Sequence, residues 1–388
     1  MTGQALFVTQ ANGRMMATRV IKVNPSDLPA AASAAAKGAD ALRKGKLVGF
    51  ATETVYGVAA VASDPGVLER LRELKSRRRG PFSVHLCGPD DAGRYVSRVP
   101  PPGRRIIDKV WPGPITLVLP TGGKLSDAKL EAAGLHEILT YRGQIALRCP
   151  DGPVAGKMLA GVGQPVVAPS ANLAGEPSPR TAGDVLEVLD GRIDLLLDSG
   201  PTQYGLDSTI LRCEGDNWKI LRKGVYDTRG VRQILARTYL FVCTGNMCRS
   251  PMAEGLAAKI LAEGFGCKVG QLADRGVRVV SAGVFAVDGG AASANAVCVA
   301  GELGADISWH RAQKLTPQLI LSADMVFCFS GQHVAEARRL APSAAGRVRL
   351  LDKHGDIADP IGAGVDVYRR TARRIERLLK AQMEKEIA

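Results

Sequence analysis

"FVCTGNMCRSPMAEG", residues 241–255, places two cysteines, a glycine, an asparagine and an arginine between an apolar run and a helical one. Residues 239–242, aromatic and β-branched, read as a short buried strand. Pro251 suits the first turn of a helix, where its missing N–H is no loss. The stretch is therefore strand, tight loop, helix, with the loop amides aimed at whatever lies above the helix N-terminus. That is an anion site. Working outward, strands at 239–243, 277–281, 324–329 and 347–351 alternate with helices at 251–263, about 292–303, 332–340 and 366–385. Such alternation predicts a doubly wound parallel sheet, whose ligands lie at the carboxyl ends of the strands, where the Cys243 loop falls.

The residue types in this loop suit covalent cleavage of a phosphomonoester. The reaction needs a thiolate, a cradle for three oxygens and an acid for the leaving group. Cys243 supplies the sulfur, and loop amides at a helix start are expected to lower its pKa. Arg249 can hold two phosphate oxygens in a fork. Ser250 can donate to the thiolate. Residues Thr244, Gly245, Asn246, Met247 and Cys248 form the loop: Gly245 permits close approach, Asn246 tolerates a left-handed backbone, and Met247 borders the leaving group. "HGDIADPIG" (354–362) places Asp359 before Pro360, which holds it extended. Asp359 is the candidate general acid of the first step and base of the second.

Residues 238–388 resemble the low-molecular-weight protein phosphatases, with "VCTGNMCRSPMAEG" (242–255), "SAGVFA" (281–286), "SADMVFCFS" (322–330) and the Asp-Pro pair in that family's order. The resemblance implies a cysteine-dependent phosphatase needing no cofactor and acting on a phosphorylated protein. "CTGN", "SAGVFA" and "DPIGAGVDVYRRT" (359–371) are similar to its protein-arginine phosphatase branch. That branch has threonine where Met247 stands, while eukaryotic tyrosine phosphatases follow Asp-Pro with aromatics where Ile361 and Gly362 stand. Both substrates, phosphoarginine and phosphotyrosine, stay open. Cys248 reads either as a small core residue or as an oxidative disulfide partner of Cys243. An arsenate-reductase-like reading wants neighbouring shuttle cysteines; Cys298 and Cys328 are thirty positions apart.

The chain has 388 residues, which indicates more than one domain. Its eight cysteines form no paired zinc motif, and neither a leader pattern nor a membrane-length apolar run is present. A cytoplasmic protein with no membrane contact is expected. Net charge is +13, with 32 Lys/Arg against 23 Asp/Glu in 1–237 (+9) and 19 against 15 in 238–388 (+4). The excess suits nucleic acid or phosphate-rich ligands. We read 1–19 as an N-terminal tail, 20–225 as a mixed α/β domain, 226–237 as a linker and 238–388 as the second domain.

Residues 20–225 carry no Walker loop, since "GPDDAGRY" (88–95) has Arg94 where lysine belongs. Four polar clusters stand out instead: "TETVYG" (52–57), "KSRRRGPFSVH" (75–85), "PSANLAGEPSP" (169–179) and "LDSTI" (206–210). With "WPGPITLVLP" (111–120), "ALRCPD" (146–151) and "ILRKG" (220–224), they resemble the Sua5/YrdC/YwlC family in order and spacing. That family makes threonylcarbamoyl-adenylate from L-threonine, bicarbonate and ATP with Mg²⁺, for the t6A modification of tRNA. The resemblance implies a Lys75/Arg77 pair and a Ser170/Asn172 motif. It further implies that Thr54, His85 and Ser208 hold threonine or its carbamate, and that Arg148 and Arg222 meet the nucleotide phosphates. No protein metal site is implied. Contact with tRNA at a concave basic face and hand-over to t6A transferase proteins follow from the same likeness. A different reading makes this half a non-catalytic RNA-binding module.

Overall fold

A computed structural model describes residues 17–76 and 80–387, with side chains through residue 383. The chain divides into two compact units, Met1–Thr228 and Arg229–Ala388. The helix Thr228–Leu235 occupies most of the stretch read as a linker.

In the second unit four parallel strands lie in the order Val277–Gly283, Arg237–Cys243, Met325–Cys328, Val348–Leu350. Successive side chains of a strand point to opposite faces. Tyr239, Phe241 and Cys243 thus join the core beneath the helices Arg249–Gly264, Ala294–Glu302 and Val365–Ile387. Leu240 and Val242 join the opposite core beneath Pro317–Ser322 and Gly331–Leu340. Both faces are covered, which is why this strand reads as an unbroken apolar run. The first strand in sequence lies between the second and third, so the strand order reverses at the end of the Arg237–Cys243 strand. Cys243 is its last residue.

Two details differ from the sequence reading. The helix begins at Arg249, two residues before Pro251, so Arg249 is itself in the first turn. The short helix Pro317–Ser322, capped by the Thr316 side chain accepting from the Leu319 amide, was not foreseen; six residues are too few to display a period.

The first unit is built on a mixed sheet. Along it run Arg19–Lys22, Leu195–Asp198, Val48–Ala51, Tyr56–Val61, Val166–Val167, Val84–His85, Gln144–Arg148, Ile115–Pro120, Thr209–Glu214 and Asn217–Arg222. The alanine-rich helix Leu28–Arg43 packs on Pro153–Val162 through Ala31, Ala34, Ala35 and Ala39. A Cβ at Gly38 would stand 2.8 Å from Met158 Sδ, so the small-residue stripe is what lets these helices approach. Among the described residues no helix is long and apolar enough to cross a membrane.

Candidate active sites

The loop after Cys243 is turned by Asn246, whose φ of 54° is left-handed. Such a conformation is costly for a residue other than glycine, and here both polar atoms of the side chain and the carbonyl are engaged. Asn246 Nδ2 donates to Ser250 Oγ (2.9 Å) and Ser281 Oγ (2.7 Å). Its Oδ1 accepts from the Gln313 amide (2.9 Å), and its carbonyl accepts from His310 Nε2 (2.9 Å). Ser281 Oγ–H donates to Glu254 Oε2 (2.6 Å), near which His310 Nδ1 also lies (3.5 Å). Gly283 is required beside this loop, since a Cβ there would lie 2.6 Å from Thr244 O and 2.8 Å from Asn246 N.

These contacts aim the backbone. The carbonyls of Thr244, Asn246 and Met247 accept from Phe285 N (2.9 Å), His310 Nε2 (2.9 Å) and Ser293 N (2.8 Å), all outside the loop. In a planar trans peptide the next N–H points the opposite way. The amides of Gly245, Met247 and Cys248 therefore point into the loop, and none donates to another described residue. Buried Arg249 closes the cradle: its Nη1 donates to Ile357 O (2.8 Å), its Nη2 to Thr244 Oγ1 (3.2 Å) and to Asp359. Its Nε is buried without an acceptor. This is a seat for a tetrahedral oxyanion above a sulfur.

Cys243 Sγ lies 2.9 Å from Ser250 Oγ. Ser250 already accepts from Asn246, which leaves its hydroxyl hydrogen for the sulfur. Burial is the largest influence on the thiol and pushes its pKa up. The Ser250 hydroxyl and amide, the Arg249 charge and the Asn246 amide pull it down. The expected net lowering is thus corrected: burial outweighs the donors. A Cβ at Gly245 would meet no protein atom, so that glycine answers no need of the protein itself. Met247 is 39% exposed at the mouth, and Cys248 Sγ lies 3.2 Å from Tyr368 Oη and 3.4 Å from Ser293 Oγ.

In the first unit the sheet register gathers a second polar set. Thr116 pairs across with Arg148, and Arg148 with His85, so the three share one face. Thr116 Oγ1 meets Ser208 Oγ (2.9 Å), and Arg222 Nη2 donates to that same Ser208 Oγ (3.0 Å). Arg148, almost wholly buried, donates to Thr54 Oγ1 and pairs with Glu53 (3.0 Å). Burial, then the Arg148 charge, holds His85 down to about 3, so its ring is neutral; Nδ1 donates to Ser83 O (3.3 Å). Lys75 forms a separate clamp on Ser170 O (3.1 Å) and on Asn172 O and Oδ1 (both 2.7 Å). The two sets are joined through the main chain: Gly57 bridges to Ser170, and Ala171 N donates to Tyr56 O. Arg77 lies outside the described residues.

Comparison with known proteins accords with this division. Residues 40–224 match the Sua5/YciO/YrdC model, described as "Telomere recombination", and residues 238–388 match "Low molecular weight phosphotyrosine protein phosphatase". A protein-arginine-phosphatase of Bacillus subtilis is 38% identical over 157 residues, 38% of this chain and 95% of its own length. A Mycobacterium tuberculosis relative named for threonylcarbamoyl-AMP synthesis is 31% identical over 197 residues, 50% of this chain and 86% of its own length. The chain belongs to both families. It spans 62% of the length of the Bacillus subtilis threonylcarbamoyl-AMP synthase, to which it is 32% identical over 222 residues and 57% of this chain.

Several residues that touch these two polar sets are not marked in the sequence. Glu53 lies inside "TETVYG" beside Thr54. Ser281 and Phe285 lie inside "SAGVFA"; Phe285, 78% exposed, is tied to Thr244 through its amide. His310, Gln313 and His333 gave no local signal, because they reach the loop only through the fold.

Ser250→Ala should raise the Cys243 pKa by roughly one to two units, one hydrogen bond to a charged group being worth about 1.5–3 kcal/mol. The check is the pH dependence of iodoacetamide alkylation, whose inflection should move to higher pH; an unmoved inflection would exclude Ser250 from stabilising the thiolate. Because the folded thiol titrates above its unfolded value, its contribution to stability is full below about pH 8.5. It is lost as pH rises toward the folded pKa.

Proposed function

We propose that the second unit hydrolyses phosphorylated protein side chains through a phosphocysteine, and that the first condenses L-threonine, bicarbonate and ATP into threonylcarbamoyl-AMP and pyrophosphate. For the phosphatase, the observation that carries the reading is the set of inward amides and the unpartnered Arg249 Nε above the Cys243 sulfur. Phosphate oxygens would replace the Asp359 carboxylate on Arg249, freeing Asp359 for the leaving group. Once free, the Asp359 carboxylate takes the proton of the Cys243 thiol; the resulting thiolate attacks phosphorus, the S–P bond forms as the bond to the leaving atom breaks, and Asp359 passes its proton to that atom. Water then attacks, Asp359 takes its proton, and phosphate departs with the thiolate restored.

For the synthase, the supporting observation is the row Ser208, Thr116, Arg148, His85 on one sheet face, with the Lys75 clamp alongside. Cations and hydroxyls suit a triphosphate and a carbamate, and positioning is most of what such a displacement requires. No group of three metal-ligating side chains exists among the described residues, and Glu53 is committed to Arg148 and the Asp151 amide. These residues do not fit a resident Mg²⁺; the ion belongs to the reading as the counter-ion of the ATP substrate. The product's consumers would be t6A transferase proteins acting on tRNA.

Asp359→Asn should slow turnover by about 10²–10⁴-fold for an alkyl phosphate and much less for p-nitrophenyl phosphate, whose leaving group needs no proton. Equal losses would remove Asp359 from the acid role. Lys75→Ala and Asn172→Ala should each suppress threonine-dependent pyrophosphate release, which Cys243→Ser leaves within about twofold because the sites sit in separate units. Wild-type protein that binds RNA tightly yet releases no pyrophosphate would overturn the synthase reading.

Met247 tests substrate preference. A thioether offers a guanidinium no hydrogen bond, and a donor left unpaired on burial costs about 1–3 kcal/mol. Met247→Thr should move the kcat/KM ratio toward phosphoarginine over phosphotyrosine by roughly tenfold. An unchanged ratio would place the choice elsewhere on the rim.

A further inference from the structure

His333 lies in the first turn of the helix Gly331–Leu340 and is almost wholly buried. Its Nε2 stands 3.0 Å from Thr244 Oγ1 and its Nδ1 2.9 Å from Ser330 Oγ. Ser330 is the cap of that helix, its hydroxyl accepting from the His333 amide (3.4 Å). On the other side, Thr244 Oγ1 accepts from Arg249 Nη2 (3.2 Å). We propose that His333 is a positioning residue of the phosphatase site, fixing the Thr244 hydroxyl and through it the guanidinium that receives the phosphate. The proposal rests on the phosphatase reading above.

Proton accounting gives the chain a direction. Thr244 Oγ1 is an acceptor toward Arg249, so its single hydrogen is available to His333 Nε2. Nε2 then carries a lone pair, Nδ1 carries the proton, and Nδ1–H donates to Ser330 Oγ. A protonated imidazole would put a second cationic donor on the hydroxyl that Arg249 already occupies. The surroundings oppose that state: burial, then the Arg249 charge, brings His333 down to about 4, against the opposite pull of Asp359 and Asp356. The tautomer is thus set from both ends, by the helix cap and by the arginine.

The geometry explains why a buried imidazole is useful here. Arg249 is held at Nη1 by the Ile357 carbonyl, and its Nη2 is shared between Thr244 and Asp359. If phosphate displaces Asp359, the Thr244 hydroxyl remains as a fixed side-chain acceptor on that nitrogen. A threonine hydroxyl at a loop corner rotates freely unless its own proton has a destination, and His333 provides it.

The test is a double-mutant cycle on the full chain with p-nitrophenyl phosphate, inorganic phosphate serving as competitive inhibitor. His333→Ala should lower kcat/KM by about tenfold and weaken phosphate inhibition by a similar factor. Thr244→Val should do the same, and the double variant should be no worse than Thr244→Val alone. His333→Gln, which keeps an acceptor near Nε2 and avoids an unfilled cavity, should recover most of the loss. Additive losses, or a His333→Gln protein as impaired as His333→Ala, would reduce His333 to packing and overturn the proposal. A wild-type protein without Cys243-dependent turnover would instead overturn the phosphatase reading beneath it.

Discussion

The left-handed turn at Asn246 is the constraint on which the second unit's site depends. One residue held at φ 54° reverses the loop, so that its carbonyls face the protein and its amides face a common point above Cys243. Strain of this kind persists only where neighbours over-determine it. Ser250, Ser281 and the His310–Gln313 segment do so from three parts of the chain, and Gly283 leaves them room. The cradle is therefore held in shape by the protein's own contacts.

The two units meet the problem of buried charge differently. In the second, Arg249 is balanced by Asp359, a partner about one-third exposed and therefore exchangeable for a ligand's oxygens. In the first, Arg148 is balanced by Glu53, and both side chains are almost wholly buried. Removing one partner of such a pair strands the other, which typically costs about 3–5 kcal/mol. Arg148 thus has a structural duty in addition to any contact with a nucleotide, while Arg222, bonded to Ser208 and less buried, is the more available cation.

What was legible in the sequence follows from how local each feature is. The parallel sheet, its strand sites and the Cys243 loop were readable because period, proline and glycine are local signals. The left-handed asparagine could be named for the same reason. Residues acting on the loop from elsewhere could not: His310 and His333 lie 64 and 89 positions from their loop partners, and nothing nearby marks them. In the first unit only family likeness linked the polar clusters; the sheet register then placed Thr116, Arg148 and His85 side by side. The direction of the Cys243 shift is not legible in the sequence, because burial, its largest cause, is a tertiary property.

The central claim is that this loop turns a buried thiol into a phosphoryl acceptor. The most direct measurement is rapid acid quench during turnover of p-nitrophenyl phosphate, followed by mass spectrometry of the peptide containing residues 241–249. The account predicts a phosphoryl group on the Cys243 sulfur, formed and lost at rates consistent with turnover. Steady turnover with Cys243 never phosphorylated, or with the phosphoryl group on Cys248 or Ser250, would contradict it.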